Sequence, residues 1–233
     1  MVHQNPNAEY TMETRSGYTM DSTVPCDVPV PDPKSPDENP MARLTGKGVY
    51  PWQFARSLLN PLRAIILSRN QLIRRLGLVP GLTVLELGPG PGYFSIAVAR
   101  GIAPGTLLLM DIQPQMLAIA SARLEAASCT NFETCTGDAS RLPYPDASVD
   151  TTFMVTVLGE VTEREACLAE IYRVLRPGGL LSVSEMRGDP DYLREPEVHA
   201  MAGRAGFVRE NIFKGLLHYT LNARKPGKPV AGN

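Results

Sequence analysis

Val84-Leu85-Glu86-Leu87-Gly88-Pro89-Gly90-Pro91-Gly92-Tyr93-Phe94 is the stretch whose reading decides the fold. Its first four residues, three of them large and apolar, have the pattern of a strand buried on both faces. A glycine-rich turn follows, and then the start of an apolar helix. Glycines at alternate positions let the backbone take positive φ and approach a ligand closely. At the carboxyl end of a parallel strand such a turn lies where open α/β sheets bind their ligands. A nicotinamide or flavin fingerprint spaces its glycines GxGxxG. Here Tyr93 stands in the place of that third glycine. Glu86, two residues before Gly88, sets a carboxylate beneath the loop, where it suits an ammonium group and opposes a pyrophosphate.

On its own a GxGxG turn reads equally well as a tight strand-to-helix connection, so the residues downstream carry the decision. Asp111 closes a second apolar run, Leu107–Asp111, nineteen residues past Gly92. A carboxylate there can accept both hydrogen bonds of an adenosine ribose; the competing reading makes Asp111 a cap for the helix that begins near Pro114. Gly137-Asp138-Ala139 closes a third run, with an acid placed to accept from an adenine amino group.

The rest of the chain repeats this rhythm. Strand patterns at 83–87, 107–111, 132–137, 149–157 and 179–185 are interleaved with helical periods at 114–126 and 162–175. That order predicts a doubly wound α/β fold, a parallel sheet with helices on both faces. At the end, 206–213 and 216–224 are joined at Lys214-Gly215, too close for a crossover helix, and should pair antiparallel.

Upstream of the quoted stretch, Leu58, Leu62, Ile65, Ile66, Leu72, Ile73 and Leu76 recur at helical intervals, with Pro61 as a break. Residues 41–80 hold seven bases and no acid, whereas 1–46 hold seven acids and three bases. The expectation for 46–80 is a helical lid over the ligand pocket, with its arginines in solvent. A membrane-facing helix over 53–76, using Arg56, Arg63, Arg69, Arg74 and Arg75 against anionic lipid, stays open. An RNA-binding face is disfavoured, because no set of stacking aromatics accompanies the bases. Residues 1–45 read as a disordered proline-rich tail, 81–226 as the α/β domain and 227–233 as a flexible end.

Bulk composition excludes other classes. A hydrophobic share of 43%, a charged share of 20% and a net charge of −1 suit a globular domain with no general affinity for nucleic acid. Cys26, Cys129, Cys135 and Cys167 match neither a paired zinc motif nor a disulfide framework, so no metal and a reducing compartment are expected. The polar N-terminus and the lack of a long apolar run predict a cytoplasmic protein, with peripheral membrane contact left open. Oligomeric state is not legible.

Four segments together resemble one known family, the class I methyltransferases, in the branch of the ubiquinone and menaquinone C-methyltransferases. They are VLELGPGPGYF at 84–94, MDIQPQML at 110–117, GDASRLPYPDASVD at 137–150 and EIYRVLRPGGLLSVSE at 170–185, within a resemblance that covers 82–226. It implies a seven-stranded sheet with the last strand inserted antiparallel. It also implies S-adenosylmethionine as methyl donor, S-adenosylhomocysteine as product and a small-molecule acceptor. Carried over residue by residue, Glu86, Gly88, Gly90 and Gly92 would surround the methionine part of the donor. Asp111 and Ile112 would hold the ribose, Asp138 and Ala139 the adenine, and Met116 would pack on the adenine face. Thr156, Leu158, Gly159 and Glu160, just past the fourth strand, would face the methyl group. The LRPGG stretch, 175–179, reads as architecture, with Pro177 ending a helix.

Methyl transfer from a sulfonium is an in-line displacement, so positioning and exclusion of water carry much of it, and a base is optional. Glu160 is the candidate base; its competing reading is a helix-terminal acid favoured by the dipole. Glu185 is a second acid expected to face the pocket. His199 and His218 lack ligand spacing. The acceptor's atom type is open, and a lipid or isoprenoid quinone at a membrane surface is the alternative acceptor. Arsenite transfer would need converging thiols, which the cysteine positions do not suggest. A partner-dependent module that binds S-adenosylmethionine without catalysis is the alternative of another class.

Overall fold

The computed structural model describes residues 49–59 and 67–227. The expected tail at 1–45, the Pro61 break and the chain end beyond Gly227 lie outside the described residues. A short 3-10 turn (Trp52–Phe54) leads into α1 (Ala55–Leu58), followed by α2 (Arg69–Leu76). Then come β1 (Val84–Leu87), α3 (Ser95–Ile102), β2 (Leu107–Asp111), α4 (Pro114–Ala126), β3 (Phe132–Thr136) and β4 (Val149–Val155). The chain continues through α5 (Arg164–Val174), β5 (Leu175–Met186), α6 (Glu195–Arg204), β6 (Val208–Lys214) and β7 (His218–Arg224).

The strands form one seven-stranded sheet in the order β3-β2-β1-β4-β5-β7-β6. β3, β2, β1, β4 and β5 run parallel; β7 enters antiparallel between β5 and β6. The doubly wound sheet and the closing antiparallel pair are as the sequence predicts. β1 is buried along its whole length because helices cover both faces. Leu72 and Leu76 of α2, Val98 and Ile102 of α3, and Leu117 and Leu124 of α4 pack on one face. Leu168 and Ile171 of α5 and Val198 and Met201 of α6 pack on the other. Each such leucine contributes about 1.5–3 kcal/mol by leaving water.

β1 pairs with β2 on one side and β4 on the other, with Leu87 level with Met110 and Met154. The connections leave these strands toward opposite faces, which opens a crevice at their carboxyl ends. The site lies in that crevice.

Three details depart from the expected pattern. α6 falls in a stretch where no element was expected; Pro196 near its start and Glu197, whose carboxylate accepts from Arg194 N at 2.8 Å, begin it. β5 starts at Leu175, so Arg176-Pro177-Gly178-Gly179 forms a bulge in the strand, where the pairing with β4 skips from Leu175 to Leu180. Among the described residues of 46–80, α2 does not line the crevice. α2 is a capped helix, with Ser68 and Gln71 bonded reciprocally and Gly77 left-handed after its last turn, and it docks beside β7. There Arg75 donates to Thr220 Oγ1 at 2.7 Å, and Asn222 Nδ2 donates to the Arg75 carbonyl at 2.7 Å.

Candidate functional site

The glycine turn after β1 takes left-handed φ at Gly88 (+62°), Gly90 (+52°) and Gly92 (+74°), conformations that cost other residues about 1–2 kcal/mol each. The three glycines do different work. A side chain on Gly88 would collide with Val157 beyond β4, so glycine lets those two loops meet across the crevice. Gly90 N–H donates to Asp111 Oδ2 at 3.3 Å. Gly92 turns away from the crevice; an added Cβ would lie 3.1 Å from Ala120 Cβ and 3.2 Å from Ala120 Cα on α4. Arg123 ties the turn down from behind, donating to the carbonyls of Pro91 at 2.5 Å and Gly92 at 2.7 Å. Gly92→Ala is therefore expected to lower stability by about 1–2 kcal/mol in denaturant unfolding, with little change in ligand affinity.

Two buried carboxylates flank the turn. Glu86 is 3% exposed and accepts from Ser95 Oγ at 2.7 Å. Burial, opposed by that hydrogen bond and helped by the nearby Asp111, pushes its pKa up to about 8. Asp111 is 8% exposed at the end of β2. It accepts from Gln113 N at 2.9 Å through Oδ1 and from Gly90 N through Oδ2. Burial wins over these bonds and raises its pKa to about 6. Each oxygen keeps a second lone pair for a ligand hydroxyl.

The crevice is a cleft of about 470 Å³, within the usual range for small-molecule sites. At one end stand Ile112, Met116, Asp138 and Ala139; Asp138 is exposed and its Oδ1 accepts from Ser140 N at 2.8 Å. At the other end are Thr156, Val157, Glu160, Val161 and the loop after β5, Arg187 to Asp191. Thr156 takes φ +56°, a strained conformation for a β-branched residue and one that clusters at functional positions. Gly159 packs its Cα against the Asp191 carbonyl, leaving no room for a Cβ. Burial, with Asp189, Asp111 and Asp191 as like charges, raises Glu160 to about 8, although Tyr50 N–H donates to its Oε2 at 3.3 Å.

Residues 49–59 cross the mouth of this cleft, and Val49, Tyr50 and Leu58 line it. Gln113 holds the segment from below: its Nε2 donates to the Tyr50 carbonyl at 2.8 Å and its Oε1 accepts from Trp52 N at 3.2 Å.

Comparison with known proteins agrees with this geometry. Residues 84–179, which carry the glycine turn, both ligand-facing acids and the strand after them, match the family model described as a methyltransferase domain. Over these residues the chain is similar to class I S-adenosylmethionine-dependent methyltransferases. It is 32% identical over 154 residues to an arsenite methyltransferase of Halobacterium salinarum, a match that covers 58% of this chain and 39% of that protein. It is 38% identical over 117 residues to a demethylmenaquinone methyltransferase of Tropheryma whipplei, covering 50% and 47%. The chain thus spans less than half the length of these curated relatives. An S-adenosylmethionine-dependent methyltransferase from Aquifex aeolicus shares the fold, with a TM-score of 0.72 at 22% identity, covering 76% of this chain and all of that one.

For a class I methyltransferase the residues present fit the donor. A flexible glycine backbone meets two buried acids, one suited to an ammonium and one to ribose hydroxyls. Of the expected donor-binding residues, Glu86, Gly88, Gly90, Asp111, Ile112, Met116, Asp138, Ala139 and Thr156 line the cleft, and Gly92 does not. Glu160 lines it as expected. Glu185 does not, because it alternates with Met186, which takes the lining position. Tyr50, Gln113, Asp189 and Asp191 were not singled out from the sequence.

The described thiols do not form a three-membered ligand group. Cys129 and Cys167 belong to the cores on opposite faces of the sheet, and the described residues hold no group of three metal-ligating side chains. Of the basic residues read as a membrane-facing set, Arg69 donates to the Tyr93 carbonyl at 3.1 Å and lies 4.4 Å over its ring. Arg75 is engaged with Thr220, and Arg63 lies outside the described residues. Arg56 and Arg74 are exposed. No described helix is long and apolar enough to cross a membrane.

Proposed function

We propose that this methyltransferase transfers a methyl group from S-adenosylmethionine to a small-molecule acceptor, with Glu160 as the base. The observation that carries this reading is the convergence of Glu86, Asp111 and Glu160 on one cleft around an open glycine backbone. The donor, when bound, supplies an electrophilic methyl on a sulfonium. The chain's residues do the rest. Glu86 receives the donor's ammonium group, Asp111 accepts from its ribose hydroxyls, and Asp138 with Ala139 marks the adenine end. Met116 and Ile112 supply apolar contact between them. Thr156 and Glu160 then face the acceptor, and Glu160 takes its proton.

Residues 49–59 act as a strap that closes the cleft and excludes water. Its ties to Gln113, next to the ribose acid, and to Glu160 connect the two ends of the site. With Arg69 and Arg75 held internally, the basic residues support this strap and the docked α2 better than a membrane-facing helix.

The test is acceptor-dependent release of S-adenosylhomocysteine from S-adenosylmethionine, using pooled amines, phenols, thiols and quinols. Release with at least one pool supports catalysis. Saturable binding of the homocysteine compound with no release from any pool would favour the silent binding module.

A further inference from the structure

Gln113 stands at the N-cap of α4, in extended backbone at φ −104° and ψ 105°, yet its side chain makes no capping bond there. Serine, threonine, aspartate or asparagine at such a position would satisfy a free amide of the helix's first turn. Gln113 reaches away from the helix instead. Its Nε2 donates to the Tyr50 carbonyl at 2.8 Å, and its Oε1 accepts from Trp52 N at 3.2 Å. Both ends of the side-chain amide are thus engaged by the strap, 49–59. The backbone amide of the same residue donates to Asp111 Oδ1 at 2.9 Å, on the carboxylate assigned to the ribose. One residue therefore joins the donor's acid to the segment that lies over the cleft.

The strap is braced within itself. Tyr50 Oη is hydrogen-bonded to Ser57 Oγ at 2.6 Å, Ser57 Oγ donates to the Phe54 carbonyl at 2.8 Å, and Phe54 N donates to the Pro51 carbonyl at 3.1 Å. Such a segment lifts or settles as a unit. Its far end reaches the glycine turn, where Leu58 Cδ1 lies 3.5 Å from the place a Cβ on Gly90 would take. Its near end meets the acceptor side, where Tyr50 N–H donates to Glu160 Oε2 at 3.3 Å. Settled, it covers the backbone that receives the donor and touches the candidate base at once. We infer that Gln113 is a positioning residue that latches this strap over the bound donor, so that S-adenosylhomocysteine leaves only after both side-chain bonds to the strap break. This rests on the methyltransferase reading and adds to it the residue that sets product release, a step that lid opening governs in many enzymes.

Gln113→Ser separates the latch from the fold. A serine can cap α4 at this position, so the helix keeps its start, but it is too short to reach Tyr50 or Trp52. Tritiated S-adenosylhomocysteine, chased with an excess of the unlabelled compound, should leave the variant about 5- to 150-fold faster than the wild type, the factor for two ordinary hydrogen bonds. Trp52, the one tryptophan of the chain, reports the strap directly. With S-adenosylhomocysteine bound, acrylamide should quench its fluorescence more strongly in the variant than in the wild type, a difference that a role confined to α4 would not produce. A dissociation rate raised less than fivefold overturns the inference, as does faster dissociation with Trp52 quenching unchanged; in either case the methyltransferase reading stands. If S-adenosylhomocysteine does not bind the wild-type chain, the latch and that reading fall together.

Discussion

Replacing Asp111 with alanine is expected to weaken binding of S-adenosylhomocysteine by roughly 100- to 10,000-fold, because two hydrogen bonds to a charged group at about 1.5–3 kcal/mol each are lost together. The amides of Gly90 and Gln113, which donate to this carboxylate at 3.3 and 2.9 Å, lose their acceptor in the same step. Asp111→Asn keeps the shape and one acceptor oxygen, so its loss should be intermediate. The pH dependence has a definite sign. With its pKa raised to about 6, Asp111 accepts from ribose hydroxyls in its ionised form, which is lost as pH falls through that value. Affinity should therefore decline below about pH 6 and the decline should vanish in the alanine variant. Glu86 titrates higher, at about 8, so an arriving ammonium draws a proton off it. Calorimetry at pH 7 in two buffers of different ionisation heat should detect that proton release.

Glu160→Gln is expected to reduce turnover by about 100- to 10,000-fold, the usual contribution of a positioned acid or base, with S-adenosylhomocysteine affinity little changed. A base works in its unprotonated form, and Glu160 reaches that form only as pH rises through about 8. The wild-type rate should climb with pH toward that value and then level, and the glutamine variant should lack the climb. A variant that retains more than a tenth of wild-type turnover would show that positioning alone suffices and that Glu160 is an acid of the acceptor wall.

The donor half of the site was legible because its residues sit in short runs at strand ends. Glu86 to Gly90, Asp111 with Ile112, and Asp138 with Ala139 each follow one parallel strand, and a parallel sheet brings those ends level. Gly92 belongs to the same run yet faces α4, since alternate backbone positions in a tight turn look opposite ways. The acceptor half was harder to read, because it is assembled across the chain. Tyr50 meets Glu160 from 110 residues away, and Gln113 meets Tyr50 from 63. Asp189 and Asp191 follow β5 in a Gly-Asp-Pro-Asp turn whose residues suit any surface loop; only the close approach of Gly159 to Asp191 makes them part of a wall. α6 escaped notice because it buries just Val198, Met201 and Ala202, too few apolar positions to show a helical period against its polar remainder.

A preference of this cleft for the methionine-derived nucleoside over a dinucleotide is measurable in one calorimetric titration of the full chain. With S-adenosylhomocysteine the expected result is saturable one-site binding; with NAD, no binding, since Tyr93 replaces the glycine a pyrophosphate turn needs and Glu86 lies beneath the loop. Binding of NAD in place of S-adenosylhomocysteine, or of neither, would contradict it.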